Sequence, residues 1–212
     1  VEEITILFQE VSVEDHELSK KYNVNYVGLK DNIGIGHAFK KLAKYSSQKY
    51  FLTIEHDFNL IEDTDVTYQR LLEGINFLEE GFDAIRYRSR RDPGFPNFSE
   101  FHKGNELNYF DEWHQVTSPH LLDSMYWLDP SIEFSDKIQK NKDWFVTTSR
   151  WATWTNNPVM YKTEKYLEMI EPFLGEGIQL EEKIAYWWCR QNFNIAMGEG
   201  LFKHYDYKKY GQ

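Results

Sequence analysis

The chain has 212 residues, 17% of them aromatic, a single cysteine and a formal net charge of −10 at pH 7. That length suits one domain with a core of ordinary size, and the acidic balance argues against a nucleic-acid partner, whose phosphates it would repel. Cys189 alone excludes an internal disulfide, no apolar run approaches the roughly 18 residues of a membrane span, and no signal-peptide pattern opens the chain, so a cytoplasmic setting is expected.

Strand and helix alternate through the first half. Residues 4–8 read as a buried strand, 14–22 as a short polar helix and 25–29 as a second strand. The turn from Asp31 to Gly36 opens a helix over 37–46, with Ala38, Leu42 and Ala43 on its inner face. A third strand, 50–54, runs straight into Glu55, His56 and Asp57. Asp63 or Thr64 caps a helix over 65–80, in which Leu71, Leu72, Ile75 and Leu78 recur at helical spacing. Gly81 ends it and 83–87 returns as a strand. Such alternation predicts an α/β domain with a mostly parallel central sheet, flanked by helices through right-handed crossovers.

Residues 89–138 are less regular. They hold four of the six prolines and the aromatics Phe95, Phe98, Phe101, Tyr109, Phe110, Trp113, Tyr126 and Trp127, the composition of a lid or binding loop. Regularity returns with a strand over 151–160, a helix over 163–170, a glycine turn at 175–177, an amphipathic helix over 180–191 and a short strand over 194–197.

The third strand's end is where chemistry concentrates. Side chains two apart on a strand share a face, so Glu55 and Asp57 are expected together, with His56 turned the other way in a structural role. Buried acids are costly unless something pairs them. Two converging carboxylates could hold a divalent cation whose open positions a phosphate-bearing ligand fills, and ligands bind outside the carboxyl ends of such strands. A solvated loop that begins with charges is the plain alternative.

Asn32-Ile33-Gly34, the helix after it and the run from Tyr50 to Asp57 together resemble the GT-A-fold glycosyltransferases, above all family 2. There an Asn-x-Gly turn opens a helix and the next strand ends in an acidic cluster; Glu55 stands where the family has its first aspartate and Asp57 at the last. Further on, the run from Gly177 to Ile184 resembles the acidic helix start that carries the catalytic base of inverting members. Asn192 to Ile195 is similar to the Gly-Tyr-x-Ile before the closing strand. Leu201 to His204 is similar to the segment where many members place a histidine near the metal. The resemblance spans about 4–204, the aromatic middle aside. Its spacing from Ile4 to Asn32 matches the family's second strand better than its first, so a leading strand–helix unit is either absent or trimmed.

The resemblance implies one glycosyltransferase domain over 1–212, with a nucleotide-sugar-binding half (1–88) and an acceptor-binding, catalytic half (89–212). It implies Mn2+ or Mg2+ on Asp57, Glu55 and His204, a base at Glu181 or Glu182, a UDP-sugar as the expected donor, a glycan or glycoprotein as acceptor, and inversion. More distantly the chain resembles stand-alone glycosyltransferases of large DNA viruses, which modify viral glycoproteins in the host cytoplasm.

The chemistry asks for the same groups. Breaking a bond to a nucleoside diphosphate needs the departing charge offset, which a cation on Asp57 provides. Deprotonating the acceptor hydroxyl needs a carboxylate base; Glu181 or Glu182 in a helix's first turn is favoured in its ionised form by the helix dipole, and both equally suit plain stabilisation of the helix end. Asn32 and Gly34 could present backbone N–H groups to a phosphate, although the turn lacks the P-loop and dinucleotide fingerprints. Lys40, one turn further in, is a further candidate for holding the nucleotide sugar, with a solvated lysine the usual answer at such a position. Arg86 belongs to an arginine cluster with Arg88, Arg90 and Arg91 that suits a diphosphate or an anionic acceptor. Trp154, Asn156, Asn157 and Trp188 suit an acceptor cleft, the indoles stacking on sugar and the amides reading hydroxyls. A carbohydrate-binding module without catalysis, favoured by the aromatic wealth, a sugar-nucleotide nucleotidylyltransferase and a metal-dependent hydrolase stay open as alternatives.

Overall fold

The computed structural model describes residues 3–94, 130–174 and 180–205. β1 (Thr5–Phe8) and β2 (Asn25–Gly28) pair in parallel across α1 (Val13–Tyr22). A capping box starts α1: the Ser12 hydroxyl accepts from the Asp15 N–H while the Asp15 carboxylate accepts from the Ser12 N–H. α2 (Ile35–Tyr45) leads to β3 (Tyr50–Thr53) and β4 (Phe58–Leu60). Asp63 caps α3 (Thr64–Glu79) by accepting from the Val66 N–H, and β5 (Ala84–Arg88) follows. A single turn at Pro130–Glu133 precedes the hairpin of β6 (Gln139–Asn141) and β7 (Trp144–Thr148). The chain continues as β8 (Val159–Lys162), α4 (Thr163–Ile170), α5 (Leu180–Trp188) and β9 (Asn194–His204).

The main sheet has seven strands in the order β3-β8-β5-β9-β7-β6, with β4 also paired to β9. Side chains alternate across it, so each strand feeds two cores. On one face Ala84, Val159, Tyr161, Ile195 and Met197 pack under Phe39 of α2, Tyr166 and Ile170 of α4, and Ile184 and Trp188 of α5. On the other, Ile85, Tyr87, Met160 and Ala196 meet Leu78 of α3, with Leu71 and Ile75 alongside. Gly74 lets α3 approach closely, since a Cβ there would lie 1.8 Å from the Tyr87 hydroxyl oxygen.

The α/β class and the flanking helices agree with the sequence reading, but the mostly parallel sheet does not. Among the described residues β5 and β9 run parallel in the main sheet, and its other pairings are antiparallel. Helix–strand alternation did place β1 beside β2 in parallel, but β3 does not extend that ribbon. β8 runs between β3 and β5 and opposes both, a long-range pairing that local periodicity does not encode. The strand expected over 151–160 is confined to β8; residues 149–158 form an irregular, largely buried segment. The last strand, expected to end at Met197, reaches His204. The lid-like aromatics from Phe95 to Trp127 and the glycine turn at 175–177 lie outside the described residues.

Candidate active site

β3 stops at Thr53, and Glu55-His56-Asp57 occupy the tight turn into β4, closed by a hydrogen bond from the Phe58 N–H to the Glu55 carbonyl (3.2 Å). The two carboxylates therefore do not share the face of a pleat, as their spacing suggested. A turn brings them together instead, because β4 must reverse to pair with β9. That pairing sets Phe58 opposite His204, and the two rings meet edge to face at 4.9 Å.

His204 Nε2 lies 3.1 Å from Asp57 Oδ2, and the Tyr205 N–H donates to the Asp57 carbonyl (2.6 Å). Burial pushes the Asp57 carboxyl up, but the His204 hydrogen bond and charge, with help from its own N–H and His56, outweigh it and hold the group below the usual carboxylate range. An ionised carboxylate only accepts, so Nε2–H donates. The other oxygen, Oδ1, is buried without a hydrogen-bond partner. Glu55 behaves oppositely: burial, reinforced by the negative charges of Asp57 and Glu181, pushes its carboxyl up to about 8. Burial and specific charge partners acting in opposite directions on neighbouring acids make this corner a functional-site candidate.

Glu181, the second residue of α5, joins this group from the far side of the sequence. Its Oε1 accepts from the Asn156 backbone N–H at 2.7 Å, so the irregular segment before β8 aims it. The Glu182 side chain lies outside the described residues. The start of α2 is beside the start of α5, for a Cβ on Gly36 would come within 3.6 Å of Leu180 Cβ. In the turn before it, Asn32 Oδ1 accepts from the Gly34 N–H (2.9 Å), and no side chain caps the helix.

Other expected ligand contacts are placed elsewhere. Lys40 forms an ion pair with Glu171 (2.5 Å) on the surface. Arg86 is only 3% exposed and its Nη2 donates to the Thr153 carbonyl. Trp154 and Trp188, 2% and 1% exposed, are core rather than cleft. Trp154 stacks on Tyr161 at 5.8 Å and meets Trp188 edge-on at 5.1 Å, and the Trp188 indole N–H donates to the Ala152 carbonyl (2.7 Å). Asn156 Oδ1 faces the Trp154 indole N–H at 3.4 Å, and the Asn157 N–H donates to Thr155 Oγ1 (3.1 Å). Sequence reasoning missed the Asn156 main-chain donor, which side-chain identity does not signal, and the roles of Pro93 and Gly94, for which the Pro-Gly dipeptide was the available turn signal.

The residues fit a divalent cation in one way only. Asp57 Oδ1 is a buried oxygen without a partner, and Glu55 lies beside it; yet among the described residues no three His, Cys, Asp or Glu side chains gather closely enough to cage an ion. That suits the habit of Mg2+ and its relatives, held by one or two carboxylates with substrate phosphates and water completing the shell. To ligate through Nε2, His204 would have to give up the proton it shares with Asp57.

No protein-family model matches the chain, and no curated protein does. Among solved structures it is similar to A197 from STIV, with a TM-score of 0.42 and 12% identity over 95% of this chain and 84% of that one. So slight an overlap fixes neither a fold family nor an activity. Among the described residues no helix is long and apolar enough to cross a membrane.

Proposed function

We propose that the chain is a glycosyltransferase that moves a sugar from a nucleoside-diphosphate donor, a UDP-sugar first among them, to a hydroxyl of a glycan or glycoprotein. The observation that carries this reading is the convergence of Glu55, Asp57 and His204 at the end of β3 with Glu181 at the head of α5. Two tasks divide among them. Asp57, kept ionised by His204, and Glu55 would hold Mn2+ or Mg2+, which when bound supplies the positive charge that offsets a departing diphosphate. Glu55, proton-bearing at neutral pH, would release its proton to hold the ion.

Glu181 suits the second task, removal of the proton from the attacking hydroxyl. The Asn156 N–H fixes one of its oxygens, and its place in the first turn of α5 favours the carboxylate. One base and one direct displacement invert the anomeric carbon. The burial of Trp154 and Trp188 removes two of the indoles that favoured a purely carbohydrate-binding module.

A thermal-shift screen of UDP-, GDP- and dTDP-sugars with and without Mn2+ tests the reading. Stabilisation by one nucleotide sugar, dependent on the ion, is expected, together with slow release of nucleotide. Asp57→Asn should abolish the shift; Glu181→Gln should keep it while turnover falls about 100-fold or more. Absence of a shift with any of the three donors, or an Asp57→Asn variant that binds and reacts like wild type, would overturn it.

A further inference from the structure

β5 is buried on both faces, yet carries Arg86 and Arg88, 3% and 7% exposed. Arg86 lies opposite Met197 and Arg88 opposite Phe202 of β9, with a register shift between them. Burying guanidinium is costly and tolerated only where its donors are used. Each here donates to a main-chain carbonyl of an irregular segment, and each of those segments holds one half of the site.

Arg88 Nε donates to the Pro93 carbonyl at 2.9 Å. The same carbonyl accepts the His204 N–H at 3.1 Å, and Gly94 bridges His204 in parallel. Gly94 has φ +75, and a Cβ there would come within 1.8 Å of the His204 carbonyl oxygen, so only glycine lets this loop lie against the strand. The Arg88 guanidinium also lies 5.9 Å over the Phe58 ring, the ring that packs on the His204 imidazole. Backbone and ring of His204 thus both rest on parts that Arg88 touches.

Arg86 acts on the other half. Its Nη2 donates to the Thr153 carbonyl, in the segment whose Asn156 N–H holds Glu181. Trp188 grips the carbonyl of the preceding residue, Ala152, and the Tyr87 N–H donates to the Pro158 carbonyl (2.8 Å) at the segment's far end. Arg86 thus ties the middle of this segment to the central strand.

We infer that Arg86 and Arg88 are positioning residues with separate charges: Arg88 sets the His204–Asp57 pair and so governs donor binding, while Arg86 sets Glu181 and so governs turnover. The division rests on the glycosyltransferase reading for its kinetic consequence, but the positioning itself does not. Neither arginine touches substrate in this account, so the pair is distinct from the ligand-binding cluster that the sequence suggested.

The test compares Arg86→Met and Arg88→Met, with Arg86→Lys and Arg88→Lys as charge-retaining controls should a Met variant not fold. The probe is whichever of the UDP-, GDP- and dTDP-sugars shifts wild type, titrated with Mn2+. Arg88→Met should weaken ion-dependent donor binding about 10-fold or more and leave amide hydrogen exchange at Asn156 as in wild type. Arg86→Met should keep donor affinity, lower kcat about 100-fold and lose protection at Asn156, with His204 and Tyr205 amides unchanged. Equal effects of both variants on binding and turnover, or crossed effects, would overturn the inference. So would wild-type exchange at both loops in both variants. If wild type takes none of the UDP-, GDP- and dTDP-sugars with Mn2+, the functional reading fails by itself and the exchange pattern alone still decides the positioning.

Discussion

Replacing Glu55 with glutamine should flatten the protein's loss of stability between pH 5 and 8. A carboxyl raised from 4.5 to about 8 in the folded protein keeps a proton that the unfolded chain has already released. The folded state therefore binds more protons over that window, and stability falls as pH rises through it. At about 1.4 kcal/mol per unit the full shift is worth on the order of 5 kcal/mol; Glu55 is half-buried, and solvent reaching it reduces the expected difference to about 2–3 kcal/mol. Glutamine keeps the shape and carries no proton to lose. Urea unfolding at pH 5.5 and pH 8.5 should show wild type losing that amount, E55Q losing little, and E55Q the more stable protein at the higher pH. Added Mn2+ should restore wild type at pH 8.5 and leave E55Q nearly unmoved. Parallel pH profiles for the two proteins would refute the electrostatic account of the site.

Two further substitutions probe the scaffold. Gly→Ala inside a helix ordinarily gains about 1 kcal/mol; Gly74→Ala should instead lose about 1–3 kcal/mol in urea unfolding, because the new methyl would meet the Tyr87 hydroxyl. A stabilised variant would contradict the close approach of α3. Trp154→Ala should cost about 3–5 kcal/mol as a core truncation, seen as a lowered unfolding midpoint. A variant of unchanged stability with a raised acceptor KM would return that indole to a cleft.

How much of this could be read from the chain depends on the range of the interaction. The cap at Asp63, the span of α4 and the parallel β1–β2 unit all follow from local signals, and those signals are legible. The sheet's handed order was not, since β8 enters between β3 and β5 through contacts roughly a hundred residues apart in sequence. At the site, the identity of the acids was readable from the run around Glu55, but their geometry was not: a turn, not a pleat, unites them. His204 was within reach by resemblance, and it is placed on Asp57. The tryptophans misled because indole serves equally in a core and in a sugar cleft, and only the ring contacts around Trp154 separate the two. Lys40 shows the same degeneracy, a cation as ready for Glu171 as for a phosphate.

β9 pairs with β4, β5 and β7 alike, and it is the last strand of the described residues to leave the ribosome. Until residues 194–204 emerge, β7 has no inner neighbour among the described strands, β4 has no strand partner, and Asp57 lacks the His204 imidazole. The strand that completes the sheet is thus also the one that brings His204 to the acidic corner. A nascent chain stalled short of this strand would expose two unfinished sheet edges and offer them to other chains.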